Sequence, residues 1–288
     1  MAQLLEESAN YVPVLGEVLL IGLTESGIVP SFLMYMEALR RKISCNWTCS
    51  TRRVGVSGIP FQEIHSHGPH HILPLPEGHY EEIWIVEDEI TSGTTVKNLL
   101  NQIQKHVSAK IFRIFSFADS RSQLQKDDFF RLVGCSEKTY LFHSAASLAG
   151  IHGSAAEYCN KIENSNTIIA SYPENMIENV AAELGKQHLI KRHYGEHLFV
   201  IGEAVSTAVF LVAARVFRSF QHITLSPWTV DTIHIKSRVN FCNYFLYNYQ
   251  RIKSPIHLLY DPADHEIGNK VKDHLETTGM TVEEFSLS

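Results

Sequence analysis

Short runs of consecutive apolar residues alternate along this chain with stretches in which apolar positions recur every three or four residues. That pattern predicts buried strands, each followed by an amphipathic helix. Val18 to Gly22 (VLLIG) is the first such strand, and Leu23, Thr24, Glu25, Ser26 and Gly27 turn it into a helix from about Ile28 to Arg41. Ile43 to Thr51 mixes β-branched and aromatic residues and predicts a second strand. Ile83, Trp84, Ile85 and Val86 form a third, which ends abruptly in the acidic run Glu87, Asp88, Glu89. Thr91, Ser92, Gly93, Thr94 and Thr95 then open a helix that continues to about residue 106. Lys110 to Phe117 alternates like a strand, Asp119 to Leu132 reads as helix and loop, and Tyr140 to Ser144 as a last short strand.

The second half repeats the pattern. Gly150, Gly153, Asn160, Asn164, Ser165 and Asn166 break up the apolar periodicity and place a boundary near residues 150–172. Beyond it, Leu198 to Gly202 (LFVIG) leads into an apolar helix from Ala204 to Phe217, and Ile256 to Tyr260 precedes Asp261 and a helix around Val271 to Leu275. VKNLL (96–100) and VKDHL (271–275) fall in matching helices, which suggests a degenerate second copy of one α/β unit. In that copy Asp264, His265 and Glu266 stand where a phosphate loop needs hydroxyls and glycine, so a second phosphate site is not expected.

Composition narrows the class. At 288 residues and 44% hydrophobic content the chain can supply two ordinary domains with real cores. A formal net charge of −6 argues against direct nucleic-acid binding and against an anionic membrane surface. Five cysteines without a paired CxxC indicate neither a disulfide framework nor a zinc knuckle, which fits reducing cytoplasm. The N-terminus lacks the basic start and apolar run of a signal peptide, and Leu198 to Phe217 is interrupted by Gly202 and Glu203, so no membrane span is expected.

The chemistry concentrates at residues 83–100. A strand, a hydroxyl-rich turn and a helix N-terminus together offer backbone N–H groups, hydroxyls and a positive dipole end, all suited to a phosphate. Two acids just before the turn would repel a bare phosphate, so they need a partner of their own, such as ribose hydroxyls or a Mg²⁺ held by sugar and pyrophosphate oxygens. The bland alternative is a capped strand–turn–helix whose acids suit the dipole. The stretch is neither a Walker A loop nor a dinucleotide fingerprint.

A hydrophobic strand, two adjacent acids and a Thr/Ser-Gly-x-Thr loop resemble the type I phosphoribosyltransferase signature, with Glu87 where the first Asp usually stands. The resemblance implies that Glu87 and Asp88 hold the ribose hydroxyls of phosphoribosyl pyrophosphate (PRPP), while Thr91, Ser92, Gly93, Thr94 and Thr95 hold its 5-phosphate. It implies substrate-bound Mg²⁺ and no metal held by the protein alone. Thr24, Glu25, Ser26 and Gly27 match the pyrophosphate loop after the first core strand, with a plain helix-capping turn as the alternative. Arg52 or Arg53, at the end of the second strand, would contact the same anion unless merely solvated.

His65, His67, His70 and His71 fall within seven residues beside Glu63. By the resemblance this segment is the catalytic loop that closes over the reaction centre, where His65 and His67 could contact pyrophosphate or shuttle a proton. Zinc ligation and a solvated loop stay open as rivals.

FQHITLSPW (220–228) and NYFLYNY (243–249) resemble the C-terminal domain named for a Thr-Arg-Ser-Pro (TRSP) signature, which follows a phosphoribosyltransferase-like domain in proteins of tellurium-resistance and stress-response gene clusters, with relatives in bacterial defence loci. The signature's Arg is Leu225 here. The implied fold is α/β: a doubly wound phosphoribosyltransferase-like sheet over residues 1–150, then a second α/β domain over 151–288. The implied activity is transfer between PRPP and a base or nucleotide-like acceptor, or the reverse. A non-catalytic PRPP or nucleotide sensor in a larger complex is the rival. Expected partners are a small phosphorylated sugar or nucleotide, with self-association or operon-encoded proteins as further alternatives.

Overall fold

The computed structural model describes residues 3–5, 7, 14–53, 55–63, 69–133, 139–147, 196–213, 216–225, 230, 233–252 and 255–285. The chain divides into two compact units, Met1–Asn164 and Ser165–Ser288.

In the first unit, strands β1 (Val18–Gly22), β2 (Cys45–Cys49), β5 (Glu82–Ile90), β6 (Ile111–Asp119) and β7 (Thr139–Ser147) form one sheet in the order β2-β1-β5-β6-β7. All its pairings are parallel. Every residue of β1 is buried, as a parallel strand covered on both faces requires. Helix α1 (Ile28–Arg40) follows β1, α2 (Thr94–Ile103) follows β5 and α3 (Gln123–Val133) follows β6. Val96, Leu99, Leu100 and Ile103 recur at helical spacing along α2 and pack with Leu19, Ile21, Ile83, Ile85, Phe112 and Ile114 of the sheet. At the start of β5 the carboxylate of Glu82 meets the Arg113 guanidinium at 2.7 Å with both side chains fully buried. The Trp84 indole N–H also donates to Glu82, at 2.9 Å.

Between β2 and β5 stands an antiparallel hairpin of β3 (Ile59–Gln62) and β4 (His70–Leu73). A bridge between Thr51 and Ile72 ties it to the end of β2. The segment expected to be one catalytic loop is therefore built on two short strands. His65 and His67 lie outside the described residues.

The second unit carries a parallel sheet of β8 (His197–Ile201), β9 (Ser219–Ile223), β12 (Ile256–Leu259) and β13 (Val282–Glu284), ordered β13-β12-β8-β9. Helix α4 (Val205–Ala213) follows β8 and α5 (His265–Thr277) follows β12. Numbered within each unit, both sheets place the second strand beside the first, then the third and the fourth. Both also insert an antiparallel hairpin between second and third strands. In the second unit it is β10 (Arg238–Phe241) with β11 (Tyr244–Tyr247), tied to the end of β9 by a Thr224–Phe245 bridge. This shared topology supports the degenerate-repeat reading.

Leu198 to Phe217 holds all but the first residue of β8 and the whole of α4, a strand and a helix as the interrupted apolar run predicts, and among the described residues no helix is long and apolar enough to cross a membrane. One boundary differs from expectation. β5 does not stop at Val86 but runs on to Ile90, because its ladder with β6 continues through Glu87–Ser116 and Glu89–Ala118. Glu87 and Asp88 thus stand within a strand, on the part of it that pairs with β6 alone. Ser226 and Pro227 of the C-terminal signature lie outside the described residues.

Candidate functional site

Sheet order reverses at β1, whose neighbours β2 and β5 leave it in opposite directions, and the crevice at the carboxyl ends of such strands is where open α/β sheets bind ligands. Three segments converge there: Leu23–Gly27 after β1, Ser50–Arg53 after β2, and Glu87–Thr95 from the end of β5.

The loop after β1 is locked to both neighbours. Leu23 N–H donates to Val86 O (3.1 Å) and Gly27 N–H to Leu23 O (2.8 Å). A Cβ on Gly27 would stand 2.5 Å from Val86 O and 2.6 Å from Leu23 O, so only glycine fits between these backbones. On the other side Thr24 N–H donates to Ser50 Oγ (2.9 Å), and the Thr24 hydroxyl donates to Ser50 O. The Thr24–Glu25 peptide is cis.

Arg52 reaches into this loop. Its Nη2 donates to Thr24 O (3.0 Å), and its Nη1 lies 3.6 Å from Glu25 Oε2. Glu25, which sequence alone sets against pyrophosphate, thus has its charge offset by an arginine from the next strand. The backbone N–H of Arg53 donates to Thr51 Oγ1 at 3.0 Å.

His71 completes the ring. Its Nδ1 sits 3.3 Å from Ser50 Oγ, its Nε2 3.0 Å from Glu63 Oε2, and its ring 5.1 Å from that of Phe61. The four-histidine cluster singles out this region. Ser50, Glu63 and His71 as partners of the loop are not visible in it, because the contacts join residues 21 or more positions apart or depend on the hairpin. Among the described residues no group of three His, Cys, Asp or Glu side chains is placed to hold a metal ion.

Ser26 Oγ donates to Glu87 Oε1 at 3.3 Å, joining the β1 loop to the acidic pair. Glu87 is buried, and burial, then the like charges of Asp88 and Glu63, push its carboxyl well above the usual carboxylate range. Glu87 Oε1 also accepts from the Asp88 N–H at 3.0 Å. Asp88 is only half-buried and Glu89 is exposed, so the pair divides into one buried acid, whose charged form burial disfavours, and one partly open to water.

The turn that follows carries the hydroxyls expected to meet a phosphate. Gly93 is the N-cap of α2 in the left-handed region (φ 78°) and makes no side-chain cap. Ser92 Oγ accepts from Thr94 N–H at 3.2 Å and donates to Thr94 Oγ1 at 2.9 Å. Thr91 is exposed, and Ser92, Thr94 and Thr95 are half-buried. Behind Gly93 lie Arg121 and Phe129, each 3.3 Å from the position its Cβ would take. Arg121 carries no sequence signal of its own, since it sits in an ordinary polar turn after β6.

The model of a family described as phosphoribosyl transferase matches residues 1–146. Solved structures with a similar chain path include an adenine phosphoribosyltransferase from Rhodothermus marinus, at 12% identity over 51% of this chain and 77% of that one, with a TM-score of 0.36. A purine phosphoribosyltransferase from Pyrococcus horikoshii matches at 17% identity over 51% of this chain and 79% of that one, with a TM-score of 0.29. An adenine phosphoribosyl transferase from Trypanosoma brucei, in complex with AMP, pyrophosphate and ribose-5-phosphate, matches at 9% identity over 60% of this chain and 72% of that one, with a TM-score of 0.37. At such identities and scores these likenesses carry nothing about substrate. No curated protein matches the chain.

Proposed function

This chain belongs to the phosphoribosyl transferase family, and from that premise we propose that its first 150 residues bind PRPP at the carboxyl ends of β1, β2 and β5 and transfer the phosphoribosyl group to a base or nucleotide-like acceptor. The observation that carries the reading is the Ser26–Glu87 hydrogen bond, which brings the β1 loop and the acidic pair into one crevice. In this reading Glu87 and Asp88 accept hydrogen bonds from the ribose hydroxyls, and Thr91 to Thr95 hold the 5-phosphate through hydroxyls and the helix N-terminus. The loop Thr24–Gly27 holds pyrophosphate through the backbone N–H groups of its middle residues, since Thr24 N–H and Gly27 N–H already donate to Ser50 and Leu23, and Arg52 fixes its conformation while offsetting Glu25. Glu87 and Asp88 also supply the hard oxygen donors that a Mg²⁺ travelling with PRPP accepts; that ion, when bound, offsets charge on the departing pyrophosphate.

The bond from ribose C1 to pyrophosphate breaks with its electron pair leaving on pyrophosphate, and the acceptor nitrogen supplies the pair for the new bond. The acceptor's proton then needs a base. His71 is a described imidazole at the site, and His65 and His67 belong to the same segment. Residues 151–288 would be the TRSP-type domain, and the setting a bacterial stress or defence system.

Thermal unfolding with PRPP and Mg²⁺ tests the reading. Ligand at about 100 times its Kd should stabilise wild type by roughly 2.7 kcal/mol. Asp88→Asn should lose that shift together with pyrophosphate release. Wild-type turnover retained in Asp88→Asn would count decisively against the mechanism.

One observation favours a second reading, a non-catalytic PRPP sensor. Arg52, a cation that reaches the pyrophosphate loop, already serves Thr24 and Glu25. The sensor predicts the same thermal shift without pyrophosphate release.

A further inference from the structure

The phosphate loop has a charge problem. Thr91 to Thr95 include no lysine or arginine, and Glu87, Asp88 and Glu89 stand just before them. A phosphate dianion seated there finds N–H groups and hydroxyls, but also three carboxylates within a few residues.

The missing charge lies behind the loop. Arg121 is 1% exposed. Its Nε and Nη2 donate to Asp119 Oδ1 and Oδ2 at 3.0 and 2.9 Å, and its guanidinium lies 4.0 Å from the centre of the Phe142 ring. Its third nitrogen, Nη1, is buried and has no hydrogen-bond partner among the described residues. That atom is 3.6 Å from where a Cβ of Gly93 would stand. Lys126 Nζ approaches the same Asp119 carboxylate at 3.5 Å, so among the described residues two cations share this one carboxylate. A buried guanidinium with an unused N–H is costly, and an apolar side chain would fill the space beside Phe129 and Phe142 without that cost. A charge in this low-dielectric position acts strongly on an anion just above it.

We propose that Arg121 is a positioning residue of the phosphate loop, which holds Gly93 in its left-handed turn and supplies, through the free Nη1 edge, the positive charge that a sugar 5-phosphate needs there. The inference rests on the assignment of Thr91–Thr95 to the 5-phosphate. Its chemistry is specific to the phosphate monoester, since pyrophosphate is assigned to the separate loop after β1.

Calorimetric titration of the full chain with ribose 5-phosphate and, separately, with pyrophosphate tests it, using wild type, Arg121→Met, Arg121→Lys and Lys126→Met. Arg121→Met keeps bulk against Phe142 and should weaken ribose 5-phosphate binding about tenfold, the scale of one charge-assisted hydrogen bond, with pyrophosphate affinity within about twofold of wild type. Arg121→Lys should recover most of the loss, and Lys126→Met, at the rim, should cost about twofold to threefold. If Arg121→Met does not fold, the lysine and Lys126 variants carry the test. Ribose 5-phosphate affinity that stays at the wild-type level in Arg121→Met, or falls equally in Arg121→Met and Arg121→Lys, overturns the role of charge. Absence of ribose 5-phosphate binding in wild type, with pyrophosphate still bound, overturns the loop assignment itself.

Discussion

The two units share one strand order and one inserted hairpin, yet their crevices are finished in opposite ways. In the first, β5 carries Glu87 and Asp88 near its carboxyl end and opens through Gly93 into a turn of hydroxyls. In the second, the corresponding strand β12 is followed by Asp261 and a short 3-10 turn to Asp264, which is buried and accepts from the Tyr244 hydroxyl at 3.0 Å. A glycine in each loop after the first strand differs too, although Gly202 falls in register with Gly22 and not with Gly27. Gly27 is pinched between backbones, whereas Gly202 has a positive φ and faces side chains, with Tyr244 Cε1 at 3.4 Å and Asp264 Oδ2 at 3.5 Å from a Cβ position. One hairpin brings His71 towards the crevice with a polar network around it, and the other brings Tyr244 to occupy an acid. The same scaffold can therefore expose its switch point to a ligand or close it with its own side chains, and a handful of loop residues decides which.

The largest expected effect is at these two loop glycines. Gly27→Ala places a methyl 2.5 Å from Val86 O, so the loop must move, and a displacement of about 1 Å at a binding loop can cost about 100-fold. PRPP affinity read by calorimetry should fall by that order. Gly202→Ala meets only side chains at ordinary contact but keeps its strained φ of 55°. It should lower stability by about 1 kcal/mol and leave PRPP affinity unchanged. Equal effects of the two substitutions on ligand would erase the distinction between the crevices.

Much of this contrast is legible in the sequence. VLLIG and IWIV read as buried strands because both faces of a parallel sheet are covered. The loss of hydroxyls and glycine near Asp264, His265 and Glu266 marks the second crevice as altered. The hairpins are not legible. Ile59–Gln62 and His70–Leu73 are four residues each, one holds a proline and the other two histidines, and neither alternates long enough to register. Their position depends on the Thr51–Ile72 bridge, a long-range contact. The length of β5 escapes for a related reason. An acidic run reads as a strand's end, and only pairing with β6 extends it. Arg52 is visible as a cation at a strand end, but its hold on Thr24 and Glu25 is tertiary. Arg121 owes its place to Asp119 and Phe142 and is invisible before the fold is known.

A middle-sized effect separates the acids. The folded pKa of Glu87 lies above its unfolded value, for burial first and then for the charges of Asp88 and Glu63. The folded chain therefore holds the proton more tightly. The stability that this provides is complete at low pH and is lost as pH rises from the ordinary carboxylate range, near 4.3, through the raised folded value. Glu87→Gln keeps the shape without the charge and should remove that loss. At pH 7 its melting midpoint should exceed that of wild type by about 2–4 °C, equivalent to about 1 kcal/mol, while PRPP affinity drops. A melting profile between pH 4 and 8 that is parallel in variant and wild type would show that the buried acid carries no such cost.

The smallest effect tests whether the second crevice is closed for structural reasons alone. Tyr244→Phe removes one donor from Asp264, whose side chain is buried with a 3.0 Å hydrogen bond from that hydroxyl. Loss of one such bond costs about 1 kcal/mol, with the desolvation of the remaining acceptor as the main part. The variant should melt slightly earlier and respond to PRPP as wild type does, because nothing assigned to the ligand lies in the second unit. Thermal unfolding with and without PRPP reads both quantities from one sample. If Tyr244→Phe instead weakens the PRPP response, the Tyr244–Asp264 pair acts on the ligand as well as on the fold, and the second crevice has been adapted to serve the first and has not simply been shut.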